Sequence, residues 1–166
     1  MSEDSLIDAE SASRVGTIAA SATGEVNRRE WQRWAAAVGD HNPLYFDQSY
    51  AQANGFRDII CPPLFVQYVV LGVARLEALR PDGSSGAVSG SLAFPRAPKR
   101  MAGGESFTFH LPAYHRDEIE MVRTIESIVE KQGRSGRFVL VNWHTVYRNQ
   151  HRDLVAEAST SMIARP

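Results

Sequence analysis

The chain has 166 residues, 43% of them hydrophobic, and a formal net charge of -1. That is enough chain for one domain with a real core, and the balanced charge gives no field favouring nucleic acid or an anionic membrane surface. A single cysteine, Cys61, excludes an internal disulfide and points to an intracellular, cytoplasmic protein.

Residues 1–13 are small, polar and acidic, without the apolar stretch of a signal peptide. They read as a disordered acidic tail ahead of a single domain over residues 14–166. Arg14–Ala20, with Val15 and Ile18, reads as a short first strand. Asn27 stands at a helix N-cap with Glu30 three residues on, and Trp31, Trp34, Ala35 and Val38 follow at helical spacing. This predicts a helix over Arg28–Val38 that Gly39 terminates. A second short helix is predicted over Gln48–Asn54, stopping at Gly55.

Pro62 and Pro63 stand at the entrance of the apolar run LFVQYVVLGVARLEAL. Proline is tolerated there because first-turn amides have no intrahelical partner. The run predicts a helix over Leu64–Leu79, apolar nearly all round and so surrounded by protein. It is too short to span a bilayer, which needs about 20 apolar residues, and it ends in Arg75 and Glu77. After a loop around Pro81-Asp82-Gly83 the chain turns strand-like. Val88–Phe94 comes first. Phe107, Phe109 and Leu111 then alternate with polar residues. Ile119–Lys131 follows, then a strand holding Val139, Val141 and Trp143. A last strand holds Leu154, Ala156, Ala158 and Met162. Turns are expected at Gly133–Gly136 and Asn149–Asp153. Helices followed by four or five antiparallel strands, with one helix too apolar for a surface, predict an α+β domain: a curved antiparallel sheet wrapped around a long central helix.

Four stretches carry a family resemblance: AAAVGDHNPLYFD (Ala35–Asp47), IICPPLF (Ile59–Phe65), GGESFTFHLP (Gly103–Pro112), and EKQGRSG (Glu130–Gly136) with the YRNQHRDLVAE hairpin (Tyr147–Glu157). In this order they resemble the MaoC-like (R)-specific enoyl-CoA hydratases and dehydratases of the hot-dog fold, and more closely the FAS1-like dehydratase N-terminal subgroup. The resemblance implies acyl-CoA or enoyl-CoA as substrate, no cofactor beyond that coenzyme A, no metal, and a second hot-dog domain as partner.

Active members of that family pair an Asp and a His five residues apart to position the water that adds to the enoyl thioester. Amides at the start of the central helix hold the thioester oxygen, where enolate charge develops. By this resemblance Asp40 takes the place of the family aspartate, and Asn42 and Pro43 form the turn. Tyr45 stands where the histidine is expected. A phenol titrating near pH ~10 is a poor base at neutral pH, so Tyr45 reads as a packing and hydrogen-bonding residue able to orient water as a donor. At the helix entrance Pro63 brings no N–H where active members commonly carry His-Gly, and the amide of Leu64 remains. Read without the family, Gly-Asp-x-Asn-Pro is also good turn chemistry in its own right.

His41 adjoins Asp40, but neighbouring side chains usually diverge. His110, His115, His144 and His151 show no metal-ligand spacing and read as satisfied strand histidines. Cys61, beside two prolines, reads as a small core residue. Arg96, Lys99 and Arg100, in FPRAPKR, form the densest basic cluster. They are a solvated loop or a site for the phosphates of coenzyme A.

These features give an expected function: a hydratase/dehydratase subunit with an impaired half-site, paired as a heteromer with a catalytic hot-dog subunit. The rival readings are a self-sufficient homodimeric hydratase using Asp40 and a non-catalytic acyl-CoA-binding module. A hot-dog thioesterase would need an acid or base on the central helix, where Gln67 and Tyr68 are the early polar side chains.

Overall fold

A computed structural model of the chain describes residues 5–71, 76–79 and 92–166. Five strands form one antiparallel sheet in the order β1-β3-β4-β5-β2: β1 Ile18–Glu25, β2 Lys99–Phe109, β3 Glu118–Gly133, β4 Gly136–Arg148 and β5 Leu154–Arg165. The helices are α1 Ala9–Ser13, α2 Arg28–Ala37, α3 Gln48–Ala53 and α4 Val66–Val70. Short 3₁₀ turns lie at Pro43–Tyr45, Pro63–Phe65 and Leu76–Ala78. Among the described residues no helix is long and apolar enough to cross a membrane.

The long strands follow from period-two alternation. On β4 Val139, Val141, Thr145 and Tyr147 are buried at period two, with Trp143 of the same series half-buried. Ile119, Met121 and Ile125 on β3 and Ala156, Ala158 and Ala164 on β5 are buried on the same face. The resulting core has two parts. One holds Trp31, Tyr45, Cys61, Phe65 and Tyr147; the other holds Leu6, Phe94, Ile125, Val139 and Val141. Helix α4 packs on β1 and β3. At Gly24 of β1 it comes so near that an added Cβ would run into the Val69 carbonyl. Glycine is needed there for lack of a side chain rather than for its dihedral freedom.

The predicted caps are present. Asn27 Oδ1 accepts from the N–H of Arg29 at 2.9 Å and of Glu30 at 3.4 Å. Gly39 ends α2 at φ +73° and Gly55 follows α3 at φ +88°. The hot-dog fold expected from the resemblance is the one observed, a five-stranded antiparallel sheet with α4 packed on β1 and β3; the helix expected to be surrounded by protein buries Val66 and Val70 and leaves Tyr68 48% exposed.

Several expectations need correction. The first strand starts at Ile18 rather than Arg14, because Arg14 caps α1 and Gly16 makes a φ +80° turn whose N–H donates to the Ile125 carbonyl at 2.8 Å. The acidic tail expected over 1–13 is packed from Ser5 onward. Leu6 is buried, its N–H donates to Glu130 at 2.9 Å, and Asp8 caps α1 through the N–H of Ser11 at 2.7 Å. Glu130 lies 124 residues from Leu6 in sequence, so composition could not show that anchor. Of the helix expected over Leu64–Leu79, Val66–Val70 is α-helical and Leu71 turns out of it at ψ 112°; residues 72–75 lie outside the described part, and Leu76–Ala78 is a 3₁₀ turn. Val66, Val69 and Val70 are β-branched and weak helix formers. Of the strand expected over Val88–Phe94, residues 88–91 lie outside the described part; Leu92 and Phe94 are buried without pairing.

Candidate active site

The loop Gly39–Asp47 is built from three nested side-chain caps. Asp40 Oδ1 accepts from the N–H of Asn42 at 3.2 Å, and Asn42 Oδ1 accepts from the N–H of Leu44 at 3.1 Å. Asp47 Oδ1 accepts from Tyr50 at 3.0 Å and so starts α3. Short polar side chains at turns do this because they satisfy amides the turn leaves open. One oxygen of Asp40 is therefore spent on shaping its own loop. The carboxylate is half-buried, whereas His41 beside it is exposed.

Tyr45 drops inward, only 6% exposed. Its carbonyl accepts from Trp31 Nε1 at 3.4 Å and Gln32 Nε2 at 3.1 Å, which ties the loop to α2. Burial, and next the Asp40 charge, push the phenol above its ordinary pKa, while a hydrogen bond from the Asn42 side chain acts the other way. The group stays protonated at neutral pH. Asp40, Asn42 and Tyr45 thus meet in one cluster.

The helix entrance lies against this loop. The N–H of Ile60 donates to the Leu44 carbonyl at 3.0 Å, and that of Cys61 to the Ala113 carbonyl at 2.8 Å. Cys61 is buried, and burial together with the buried Asp117 carboxylate drives its thiol far above the ordinary range. It is an inert, protonated side chain in the core, not a nucleophile. Pro62 caps the first turn, Pro63 occupies its first position without an N–H, and Leu64, 45% exposed, brings the first amide.

A cavity of about 180 Å³ opens beside this entrance, walled by Phe56, Cys61, Pro63, Val66, Phe109 and His110 among others. Its lining is mostly apolar, as a slot for an acyl chain would be. Neither Asp40 nor Tyr45 lines it. The structure therefore brings Pro63 to a cavity and Asp40, Asn42 and Tyr45 to an adjoining cluster, with Cys61 between them. His110 was read as a satisfied histidine, and it does bond Glu157, Nε2 to Oε2, at 3.0 Å. Its place in the cavity wall was not legible, because Glu157 is a cross-sheet neighbour from β5. His144 reaches the other oxygen of Glu157 at 3.2 Å.

The basic cluster divides. Arg96 donates to the Ser5 carbonyl at 2.9 Å and holds the N-terminal segment. Lys99 and Arg100, expected in a loop, begin β2 and line a different cavity at the far end of the sheet.

Comparison with known proteins places this geometry. The family described as FAS1-like, dehydratase domain region matches residues 13–158. A UPF0336 protein of Parafrankia sp. is 30% identical over 141 residues, covering 85% of this chain and 84% of that one. A probable enoyl-CoA hydratase alpha subunit of Thermomonospora curvata is 28% identical over 75% of this chain, which spans only 40% of that relative. Among solved structures, the ChsH1-ChsH2 complex from Mycobacterium tuberculosis superposes with a TM-score of 0.73 over 93% of this chain and 88% of the matched one, at 21% identity. The chain belongs to the FAS1-like dehydratase domain family, and its fold is that of the MaoC-like hot-dog proteins.

Proposed function

We propose that this chain is a subunit of an enoyl-CoA hydratase or 3-hydroxyacyl-CoA dehydratase whose own half-site is impaired, and that it works beside a second hot-dog subunit carrying an intact Asp/His pair. The observation that carries this reading is the Asp40 cluster. The position five residues on from the aspartate is a buried, protonated phenol beside Asn42 and Asp40, and His41 is exposed. Hydration of an enoyl thioester adds hydroxide at C3 and a proton at C2 while charge passes through the thioester oxygen. One group must take a proton from water and one must supply a proton to carbon. Asp40 alone cannot do both readily, and Pro63 removes one amide that would hold the enolate oxygen. The reaction is redox-neutral and asks for no cofactor beyond the coenzyme A of the substrate.

The surface supports a partner. Strand β2 is an edge: β5 pairs with one side of it, and its other side faces no strand among the described residues. It is long, with Met101 52% and Phe109 43% exposed, the kind of edge that natural proteins cover. The hydratase alpha subunit among the relatives, and the two-component complex among the structural neighbours, point the same way.

The test is co-purification of the tagged chain, followed by hydration assays of crotonyl-CoA and longer enoyl-CoA with the recovered complex. A second hot-dog chain and turnover by the complex support the reading. A partner that adds no rate defeats it in favour of an acyl-CoA-binding module. A self-sufficient homodimer is favoured by one observation: His110, oriented by Glu157, stands in the wall of the entrance cavity beside Pro63. Loss of solitary turnover in His110→Ala would select it.

A further inference from the structure

A carboxylate held between two imidazoles stands behind the helix-entrance cavity. Glu157 Oε2 meets His110 Nε2 at 3.0 Å, and its other oxygen, Oε1, meets His144 Nε2 at 3.2 Å. The sheet register brings them together. Glu157 pairs with Thr108 of β2 on one side and with Val146 of β4 on the other. His110 comes two residues after Thr108, and His144 two residues before Val146. All three side chains therefore share one face of the sheet at diagonal positions. Among the described residues no lysine or arginine pairs with Glu157, so its ionic partners are the two rings.

An ionised carboxylate only accepts hydrogen bonds, so each Nε2 facing it carries a hydrogen. In the neutral ring Nδ1 is then a bare acceptor, a tautomer assigned from the bond to Glu157. His110 Nδ1 has no partner among the described residues. His110 lines the cavity, whereas Glu157 and His144 do not. The only other ionisable side chain in the described wall is Cys61, whose protonated thiol points to the Pro62 carbonyl at 3.5 Å. Every other lining side chain is apolar. A mostly apolar pocket with a single oriented polar group selects a ligand by one hydrogen bond. Its volume of about 180 Å³ is near the roughly 150 Å³ that takes up benzene, so it suits a group of about six or seven non-hydrogen atoms.

We infer that this cavity takes a short acyl group carrying a hydroxyl near its far end, and that His110 Nδ1 accepts the hydrogen bond from that hydroxyl. Asp40 does not line the cavity, so the part of the acyl group inside it lies beyond the reacting C2–C3 pair. Glu157 and His144 are positioning residues: they hold the ring and its tautomer and touch no ligand. An acyl chain ending in a methyl group would leave Nδ1 without a donor, and a ketone would set acceptor against acceptor. This names the substrate class of the proposed hydratase subunit and rests on that reading's acyl thioester.

The experiment is calorimetric titration of the full chain with saturated thioesters: 6-hydroxyhexanoyl-CoA, heptanoyl-CoA and 6-oxoheptanoyl-CoA. They have no double bond to hydrate, so binding is read apart from turnover. Hydration by the complex can fail while the preference stands, and the reverse. The hydroxylated thioester should bind roughly three- to tenfold tighter than the heptanoyl one, the range of one net hydrogen bond, and the ketone no tighter than heptanoyl. His110→Leu should remove the preference. Glu157→Gln should reduce it, because a carboxamide can donate to Nε2 and leave the ring hydrogen on Nδ1. Nitrogen-15 NMR of the histidine rings should show His110 carrying hydrogen at Nε2, with Nδ1 shifting when the hydroxylated thioester is added. His151→Gln, which removes an exposed imidazole from the β4–β5 turn, should change nothing. If His110→Leu fails to fold, Glu157→Gln and the Nδ1 signal decide. No saturable binding, equal affinity for the hydroxyl and methyl ends, or a preference that survives His110→Leu overturns the inference, as does an equal loss in His151→Gln. A ketone bound as tightly as the hydroxyl would overturn the hydroxyl assignment.

Discussion

Replacing Tyr45 with phenylalanine separates packing from chemistry at the centre of the Asp40 loop. The ring is buried in the core, and its hydroxyl meets the Asn42 side chain and the field of Asp40. Tyr45→Phe keeps the ring and removes the hydroxyl, so the cost is the polar interaction of a buried hydroxyl with its surroundings, about 1–2 kcal/mol. A total of about 1–2 kcal/mol corresponds to a fall in Tm of roughly 2–8 °C for a chain of this size. Tyr45→Ala removes the ring as well and should cost about 3–5 kcal/mol. Calorimetric melting and urea titration measure these, with enoyl-CoA hydration by the complex assayed in parallel. The reasoning holds if Tyr45→Phe loses stability and keeps turnover. It fails if turnover collapses while Tm stays put, because the hydroxyl would then belong to the chemistry.

Other consequences follow from particular contacts. Gly24→Ala would push a methyl group into the Val69 carbonyl and displace α4, at a cost of about 1–3 kcal/mol by thermal melting; an unchanged Tm would mean the helix yields freely. Trp31→Ala empties a fully buried site and cuts the tie to the Tyr45 carbonyl, so about 3–5 kcal/mol should be lost in urea unfolding. Stability should also depend on alkaline pH. Cys61, Tyr45 and Tyr147 all have folded pKa values raised above their unfolded ones, first of all by burial. Their contribution is complete below the unfolded values and is lost as pH rises past about 8.5 for the thiol and about 10 for the phenols. Tm should therefore decline above that point, and Cys61→Ala should remove its earliest part; a Tm flat to pH ~11 would contradict the burial argument.

Local chemistry was legible in the sequence. Asn27, Gly39, Asp47 and Gly55 mark helix ends through bonds a few residues long, and β3, β4 and β5 announce themselves by alternation. What depended on distant partners was not. Leu6 looks like tail until Glu130 and the second core are beside it. Val15 and Ile18 suggested a strand core, yet both are exposed: Gly16 turns the chain just after Val15, and Ile18 is the outermost residue of β1. Lys99 and Arg100 were visible as a cluster, but Arg137 and Arg165 join them only through the sheet register. The Asp40–Tyr45 spacing was visible as a motif. Burial of the phenol, the fact that decides its chemistry, is a property of the fold.

The most direct test is the hydration of crotonyl-CoA by this polypeptide on its own. The account predicts negligible turnover that appears when the partner subunit is restored. Brisk turnover by the solitary chain, abolished by Asp40→Asn, would contradict it.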